Sequence, residues 1–170
     1  MRKSNFMDSK ELILNKVKEK FGQAIEAISD FRNDLCFTIN RNQIVELSRF
    51  LKEDSELEFI FCKDVTAIDW AARKNRFTTV YHIYSFKLNF NLRLKVNIDV
   101  DPPAVETITS VWKSADWYER ETFDMYGIKF LNHPDLRRMY MPEGFEHYPL
   151  RKDFPVIGIP GSLPLPNKAE

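Results

Sequence analysis

Carboxylates are concentrated in one stretch of the chain, residues 116–155, and they are the first candidates for chemistry. Glu119, Glu121 and Asp124 fall within about two helical turns. Two carboxyl groups can act as a general acid and a general base when their surroundings hold their pKa values apart beside a substrate. The same spacing is typical of a solvated helix face on which Arg120 neutralises its acidic neighbours. One hypothesis is therefore a stand-alone acid–base enzyme that uses Glu121 and Asp124.

Two pairs of basic residues, Arg137 with Arg138 and Arg151 with Lys152, could bind a phosphate or RNA. The whole chain, however, has 25 basic and 25 acidic residues, and Asp153 directly follows the second pair. Nucleic-acid binding depends largely on an excess of positive charge. Arginine also forms bidentate pairs with carboxylates at protein interfaces. The composition argues against a nucleic-acid partner, although a small RNA- or phosphate-binding module stays an alternative.

Few side chains in this sequence could bind a metal or a cofactor. The histidines are His82, His133 and His147, and the cysteines are Cys36 and Cys62. A zinc site requires three or four ligands on rigid elements, and an iron–sulfur cluster typically requires four. The histidines are predicted in a strand and an irregular loop, and the cysteines lie far apart in apolar strands. We therefore expect no metal site and no cofactor in this chain.

A helix and the loop that follows it must position these side chains. The helix is predicted from an apolar stripe at three- and four-residue steps. The members of this stripe are Trp112, Ala115, Tyr118, Thr122 and Met125. The charged residues fall between these positions, so we expect them on the opposite, exposed face. Gly127 is predicted to end the helix, because glycine adopts the left-handed conformation without a Cβ penalty.

After Gly127, a short apolar run at residues 128–130 predicts one brief strand, and prolines then become frequent. Six of the nine prolines lie beyond residue 141. Proline fixes φ and lacks an amide donor, so this part of the chain is predicted to be an irregular, extended arm. Apolar side chains such as Phe145 and Leu150 are interleaved with the prolines. Such an arm favours recognition by a partner protein.

The rest of the chain is predicted to form helices and strands in alternation. Helices are expected at residues 9–22, with a cap at Asp8 or Ser9, and at residues 41–54, with a cap at Asn40. Strands are expected at residues 24–31, 33–40, 57–70, 76–88 and 89–99, with a basic turn at 73–76. The first strand is expected to half-bury the alternating residues Ile25, Ala27, Ser29 and Phe31.

These elements predict an α+β fold with a mainly antiparallel sheet, helices packed on one face, and an extended Pro-rich C-terminal arm. We place a globular domain at residues 1–127, and an irregular docking loop with the C-terminal arm at residues 128–170. No apolar run approaches the ~20 residues of a membrane-spanning helix, and no apolar segment follows the basic N-terminus. We expect a soluble chain that reaches a membrane only through partners, without direct insertion.

Three segments, in this order, resemble the signature of a known family. They are ERETFDMYG at Glu119–Gly127, HPDLRR at His133–Arg138 and PLRKDFP at Pro149–Pro155. This combination is similar to the 30 kDa subunit of respiratory complex I, the type-1 NADH:quinone oxidoreductase, which is the C-type subunit in bacteria. The chain departs from the family pattern at His147, where glycine is usual, and in its Pro-rich tail.

The resemblance implies a non-catalytic, cofactor-free structural subunit of the peripheral arm of this proton-translocating enzyme. Electrons in such an enzyme pass from NADH to a quinone through FMN and iron–sulfur clusters, which partner subunits hold. The implied partners are the 49 kDa subunit, which is the D-type subunit in bacteria, and the cluster-bearing subunits of the peripheral arm. The implied location is the cytoplasmic face of the bacterial inner membrane, or the matrix side in mitochondria.

The resemblance also implies which residues contact those partners. They are Glu119, Arg120, Glu121, Asp124, His133, Asp135, Arg137, Arg138, Pro149, Leu150, Arg151, Lys152, Asp153 and Phe154. From residue types alone, His133 and Asp135 are expected to shape the loop around Pro134. A charge reversal at Arg138 or Arg151 is expected to impair assembly more than it lowers the melting temperature of the isolated chain.

Overall fold

A computed structural model of the chain describes residues 2–32, 34–71 and 75–159. Its helices are α1 (Arg2–Phe21), α2 (Ile44–Glu53) and α3 (Ala115–Tyr126). Its strands are β1 (Ile25–Phe31), β2 (Asp34–Ile39), β3 (Phe61–Asp69), β4 (Phe77–Ser85), β5 (Phe90–Ile98), β6 (Ala104–Glu106) and β7 (Lys129–Leu131). The α+β class and the order of the predicted elements are confirmed, and β6 is an additional short strand.

Five strands form one sheet in the order β1-β2-β5-β4-β3. Neighbouring strands are antiparallel except β2 and β5, which run parallel with Leu35 opposite Leu92. These two strands can be parallel because α2 and the β3–β4 hairpin lie between them in the chain. The prediction of a mainly antiparallel sheet is therefore confirmed. Strands β6 and β7 form a separate parallel pair, with Val105 opposite Phe130.

One face of the sheet carries the apolar residues that the alternation predicts, and the helices pack against this face. Leu92 and Leu94 of β5 are almost fully buried, whereas Arg93 and Lys95 are partly exposed. A single buried cluster joins this face to the helices. The helix residues in that cluster are Ile13, Val17, Phe21, Ile44, Leu47, Leu51 and Ala115.

Strand β1 is present, but the predicted burial of its alternating residues is wrong. Ile25 is partly exposed, and every later residue of β1, including Phe31, is exposed. A bulge between Ile25 and Ala27 shifts the alternation, so that Ile28 lies opposite the buried Phe37. β1 also lies at the edge of the sheet, where only one neighbouring strand covers it.

The first helix begins earlier than predicted. α1 begins at Arg2 and passes through Asp8 and Ser9, so neither residue is its N-cap. The segment before Asp8 contains no glycine or proline that would interrupt a helix. The Asn40 side chain does act as a cap, accepting a hydrogen bond from the Asn42 amide (3.0 Å), but it caps the 3₁₀ turn at Arg41–Gln43 that leads into α2, which itself begins at Ile44.

The C-terminal segment, defined here as residues 132–159, has turns and bends but no helix or strand. Residues 128–131 precede it and pack with the domain, since Ile128 and Phe130 are buried in the core. The division into a domain and an arm stays a prediction. Residues 160–170 of the predicted arm, and residues 73 and 74 of the predicted basic turn, lie outside the described residues.

Candidate partner interface

Helix α3 lies along the edge of β3, and polar side chains hold it there. The Ser114 hydroxyl donates to the Cys62 carbonyl (3.1 Å), and the Thr122 hydroxyl donates to the Val65 carbonyl (3.0 Å). The helix therefore covers the edge of the sheet and supplies hydrogen-bond donors to two carbonyl groups of the edge strand β3. It ends at Gly127, whose φ of 74° is the left-handed conformation predicted for its C-cap.

Three of the charged residues of α3 are buried, which corrects the prediction of a solvated helix face for them. Glu119 and Asp124 are fully buried and Arg120 is 7% exposed, whereas Glu121 is exposed. The reason is that irregular segments before and after α3 fold over this side of the helix and donate hydrogen bonds to its carboxyl groups. Local periodicity carries no information about these segments.

Asp124 organises the first part of the C-terminal segment. Its Oδ2 atom accepts hydrogen bonds from the amides of Met139 (3.0 Å), Tyr140 (2.7 Å) and Met141 (3.0 Å). Its Oδ1 atom accepts a bond of 2.7 Å from Nη1 of Arg138. Burial alone would raise the pKa of Asp124, but these donors outweigh burial and the pKa is lowered. The ionised carboxylate therefore fixes the backbone of the segment.

Arg138 is held inside its own chain. Its side chain is 12% exposed, it pairs with Asp124, and it also donates to the His147 carbonyl (3.3 Å). Its guanidinium lies 5.1 Å from the centroid of the Tyr148 ring. The expectation that a charge reversal at Arg138 acts mainly on assembly stays a prediction, and these contacts add an effect on stability. A negative charge here would face a buried carboxylate and lower the stability of the chain itself.

Asp69, at the end of β3, anchors the later part of the C-terminal segment. It accepts two hydrogen bonds from Arg76 (3.0 and 2.8 Å), one from the Ala71 amide (2.8 Å) and one from the Lys152 amide (2.8 Å). Burial alone would raise the pKa of Asp69, but Arg76 and the backbone donors lower it to about 2. Arg76 also pairs with Asp153 (2.9 Å). Sequence reasoning missed Asp69 and Arg76, which no motif marks.

Arg151 lies between the segments held by Asp124 and by Asp69, and it packs against the end of α3. Its Nε donates to the Tyr126 carbonyl (2.6 Å), and its guanidinium lies over the rings of Tyr148 (4.3 Å) and Phe77 (5.2 Å). This close packing requires glycine at position 127, because a Cβ on Gly127 would lie 2.6 Å from the Tyr148 ring. Arg151 thus joins the PLRKDFP segment to the signature helix.

Glu119 differs from Asp124 and Asp69, because the groups that donate hydrogen bonds to Glu119 are neutral. Its Oε1 atom accepts from the Ile108 amide (2.8 Å), and Oε2 accepts from the Thr107 hydroxyl. His133 Nε2 lies 3.8 Å from Oε2. Burial raises the pKa of Glu119 to about 8.

A sequence signal for the burial of Glu119 does exist. Ala115, Glu119 and Thr122 are spaced by four and three residues, and all three are buried on one side of α3. The predicted stripe assigned this side to Tyr118, which is only half-buried. Glu119 therefore occupies a position where the helical spacing predicts an apolar residue, and this position was the sequence signal that its carboxyl group is buried.

The structure divides the predicted interface residues into two groups. The residues that are buried or mostly buried by their own chain are Glu119, Arg120, Asp124, His133, Arg138 and Arg151, whereas the others are exposed or partly exposed even where, like Asp153 with Arg76, they form an ion pair. The exposed residues are Glu121, Asp135, Arg137, Leu150, Lys152 and Asp153, and the partly exposed ones are Pro149 and Phe154. Partner contact stays a prediction for all of them, and the second group presents surface for it.

The geometry does not favour an acid–base site at Glu121 and Asp124. Glu121 is exposed, while four donors occupy the buried Asp124 and lower its pKa. Among the described residues, no group of three or more His, Cys, Asp or Glu side chains is arranged to hold a metal ion. In the same part of the chain, no helix combines the length and apolar character needed to cross a membrane.

Comparison with known proteins agrees with the signature segments. Residues 37–159 match the family described as respiratory-chain NADH dehydrogenase, 30 Kd subunit. A C-type subunit of NADH-quinone oxidoreductase from Rhizobium meliloti (strain 1021) is 48% identical over 143 residues, which cover 84% of this chain and 78% of that protein. The C-type subunit of the same enzyme from Geobacter sulfurreducens is 42% identical over 144 residues, which cover 84% of this chain and 88% of that protein.

Solved structures share this fold. A trypsin-resistant fragment of Nqo5 superimposes with a TM-score of 0.64 and 25% identity, over 75% of this chain and 99% of the fragment. A chain of the membrane-bound sulfane sulfur reductase, an archaeal respiratory membrane complex, superimposes with a TM-score of 0.70 and 27% identity, over 87% of this chain and 86% of that one. Signature segments, fold and relatives agree: the chain belongs to the 30 kDa subunit family of respiratory-chain NADH dehydrogenases, which includes the C-type subunits of NADH-quinone oxidoreductase.

Proposed function

We propose that the chain is a non-catalytic, cofactor-free structural subunit of the peripheral arm of a proton-translocating NADH:quinone oxidoreductase. Its partners in this proposal are the 49 kDa subunit and the cluster-bearing subunits. Those partners hold FMN and the iron–sulfur clusters, and the chain keeps them in position. Through them it reaches the cytoplasmic face of the membrane. Because electron transfer depends on the distance between redox centres, a scaffold can set the rate without carrying an electron.

The observation that carries the proposal is the C-terminal segment, whose backbone is irregular yet fixed by Asp124 and Asp69. Long segments without regular structure are uncommon in compact domains unless they serve a function. Two buried carboxylates hold residues 138–141 and the backbone at Lys152 in place before any partner arrives. Such preorganisation reduces the ordering cost of association.

The segment also presents large apolar side chains to solvent. Tyr140 is 60% exposed, Leu150 is 50% exposed, and Val156 and Ile157 are almost fully exposed. Burying such side chains contributes roughly 1.5–3 kcal/mol each before ordering costs. The exposed Arg137 and the nearby charged residues are suited to the polar rim of such an interface. This combination supports a protein–protein contact.

The position of the two cysteines supports a role without a cofactor. Cys36 lies on β2 and Cys62 on β3, and strands β5 and β4 separate them in the sheet. Burial raises the pKa of both thiols, to about 12 for Cys62. A thiol that stays protonated is a poor metal ligand and a poor nucleophile. The proposal therefore places the redox groups in the partner subunits.

The test is incorporation of a tagged chain into the complex in cells that supply the other subunits. We expect Leu150→Ser combined with Ile157→Ser to reduce co-purification of the 49 kDa subunit by about tenfold or more, because roughly 1.5 kcal/mol or more of burial is lost at each side chain. The melting temperature of the isolated chain should not change, since both side chains are exposed.

Phe86→Ser is the matched control for this test. Phe86 is 63% exposed, and it follows β4 at the end of the sheet opposite Asp69. Full co-purification of the double variant, or an equal loss with Phe86→Ser, would contradict the proposed interface. Flavin or iron absorbance in the purified chain would contradict the cofactor-free part of the proposal.

A further inference from the structure

Glu119 lies where α3 meets the loop before it and the loop after β7, residues 132–136. One carboxyl oxygen accepts from the Ile108 amide (2.8 Å), and the other accepts from the Thr107 hydroxyl, both in the loop before α3. His133 Nε2, in the loop after β7, lies 3.8 Å from the same Oε2 atom. The side chains of Glu119 and His133 have no exposed surface. The Glu119 carboxyl is therefore hydrogen-bonded to the loop before α3 and lies beside the buried His133 ring of the loop after β7.

The tautomer of His133 follows from its hydrogen bonds. Its Nδ1 atom accepts from the Asp135 amide (3.1 Å), so the ring proton is placed on Nε2. Nε2 lies 3.3 Å from the Asp116 carbonyl, which can accept that proton's hydrogen bond. Nε2 also lies 3.5 Å from Oδ1 of Asp116, so the one ring N–H is placed between the carboxyl groups of Asp116 and Glu119. Protonation of Nδ1 would break the bond to Asp135.

The groups that face Glu119 are neutral or negative. They are Thr107 and Ile108 from the loop before α3, Asp116 from α3, Cys62 from β3, Tyr81 from β4 and His133 from the loop after β7. Burial raises the pKa of Glu119 to about 8, and the negative charge of Asp116 acts in the same direction. The two hydrogen bonds to Glu119 only partly offset burial.

We propose that Glu119 and the groups around it form a proton-linked clasp, which holds both loops against α3 when the carboxyl is protonated and loosens when it ionises. An ionised Glu119 would be a buried negative charge beside Asp116, and such a charge is costly without a cation or water. Release of residues 132–136 would admit water and remove this cost. Closure of the clasp is therefore coupled to the uptake of one proton, which is carried on Oε2 and donated to Thr107 Oγ1, while the Thr107 hydroxyl donates to Thr109 Oγ1 (2.9 Å) in place of Glu119.

The direction of the pH dependence follows from linkage. In the closed clasp Glu119 keeps its proton up to about pH 8, whereas in the open clasp the carboxyl has its ordinary pKa of 4.5. The closed state binds more protons between these two values. Raising the pH across this range therefore favours opening, by up to about tenfold per pH unit. Above about pH 8 both states are ionised at Glu119, and the equilibrium no longer changes.

The clasp is a property of the isolated chain, but one consequence rests on the proposed function. His133 and Asp135 belong to the predicted partner interface, so an open clasp would present that interface differently. Partner binding should then weaken as the pH rises toward about 8.

Hydrogen exchange of the full, isolated chain tests the clasp. The amides of Ile108 and Asp135 report on the two loops, because their hydrogen bonds end on Glu119 and His133. We expect the ratio of observed to intrinsic exchange rates at both amides to rise about tenfold or more between about pH 6 and about pH 8. Glu119→Gln keeps the shape of the side chain and cannot ionise, so the ratio should stay constant in this variant.

Glu121→Gln is the matched control, since Glu121 is exposed on the same helix, and it should behave as the wild type in the isolated chain. A direct measurement follows the carboxyl itself by ¹³C NMR of labelled glutamate, with a midpoint expected near pH 8 for Glu119. This titration decides the question even if Glu119→Gln does not fold. An ionised Glu119 at about pH 6, or an equal rise of exchange in Glu119→Gln, would overturn the clasp. Because no partner is present, these outcomes are independent of the interface test.

Discussion

Asp124 and Glu119 lie on the same helix and are both fully buried, yet their partners shift their pKa values in opposite directions. Asp124 receives a guanidinium and three backbone amides, and its pKa is lowered. Glu119 receives one amide and one hydroxyl, and its pKa is raised to about 8. Burial disfavours the charged form of both groups, so the number and charge of the donors decide which form each group takes.

Replacing Asp124 by asparagine should lower the free energy of unfolding by roughly 2–4 kcal/mol. The amide nitrogen of asparagine would face backbone donors, and Arg138 would lose its anionic partner. Urea unfolding of the isolated chain measures this change. Glu121→Gln alters an exposed side chain on the same helix and should change the value by less than about 0.5 kcal/mol. Equal effects of the two substitutions would show that the contacts of Asp124 do not stabilise the chain.

Helix α3 contacts three other parts of the chain. Thr122 bonds to the edge of β3, Glu119 bonds to the loop before the helix, and Asp124 bonds to the C-terminal segment. The end of the helix contributes as well, because the Tyr126 carbonyl accepts from Arg151. The signature residues therefore shape the surface that the chain presents, in addition to any direct contact with a partner.

Gly127→Ala should be strongly destabilising, by about 2 kcal/mol or more. The residue has a φ of 74°, and a Cβ would lie 2.6 Å from the Tyr148 ring, so both the backbone and the arm must shift. Gly144→Ala is the matched control, because a Cβ there meets nothing within 4 Å. Thermal unfolding of the two variants gives the comparison. A similar melting temperature for both would mean that the close contact at Gly127 is not needed.

The chain combines one apolar core with a C-terminal segment that is held mainly by polar contacts. The core joins the sheet to α1, α2 and the start of α3. In chain order, the last buried residue of this core is Phe130. The C-terminal segment is attached instead through Asp124, Asp69 and Arg151, with Phe145 as a further buried side chain. The core can therefore persist when this segment is altered, whereas the surface for partners cannot.

Removal of residues 146–170 tests this separation. We expect the shortened chain to stay folded, with a moderately lower melting temperature because the contacts of Arg151 and Lys152 are lost. We also expect it to fail to join its assembly. A chain that ends at residue 159 keeps both carboxylate anchors and serves as the control. Co-purification of the 49 kDa subunit at full yield with the shorter chain would show that this segment is not the docking surface.

The sequence by itself determined the features that depend on near neighbours. The cap at Asn40, the end of α3 at Gly127 and the alternation along β5 each follow from a few adjacent residues, and the structure agrees with them. The family could also be recognised from the sequence, because its signature is a set of local motifs in a fixed order. The start of α1 is the exception among these local predictions. The helix continues through the capping residues Asp8 and Ser9, because no helix breaker precedes them.

Only the tertiary structure decided which charged side chains are buried and what each one holds. The donors to Glu119 begin 12 residues before it, those to Asp124 extend 17 residues after it, and Lys152 lies 83 residues beyond Asp69. A periodic pattern describes one element and does not show what packs against it. The free energy of a buried carboxyl depends on those distant donors, and so does its protonation state. For that reason Glu119, Arg120 and Asp124, which the sequence alone places on a solvated face of α3, are interior in the folded chain.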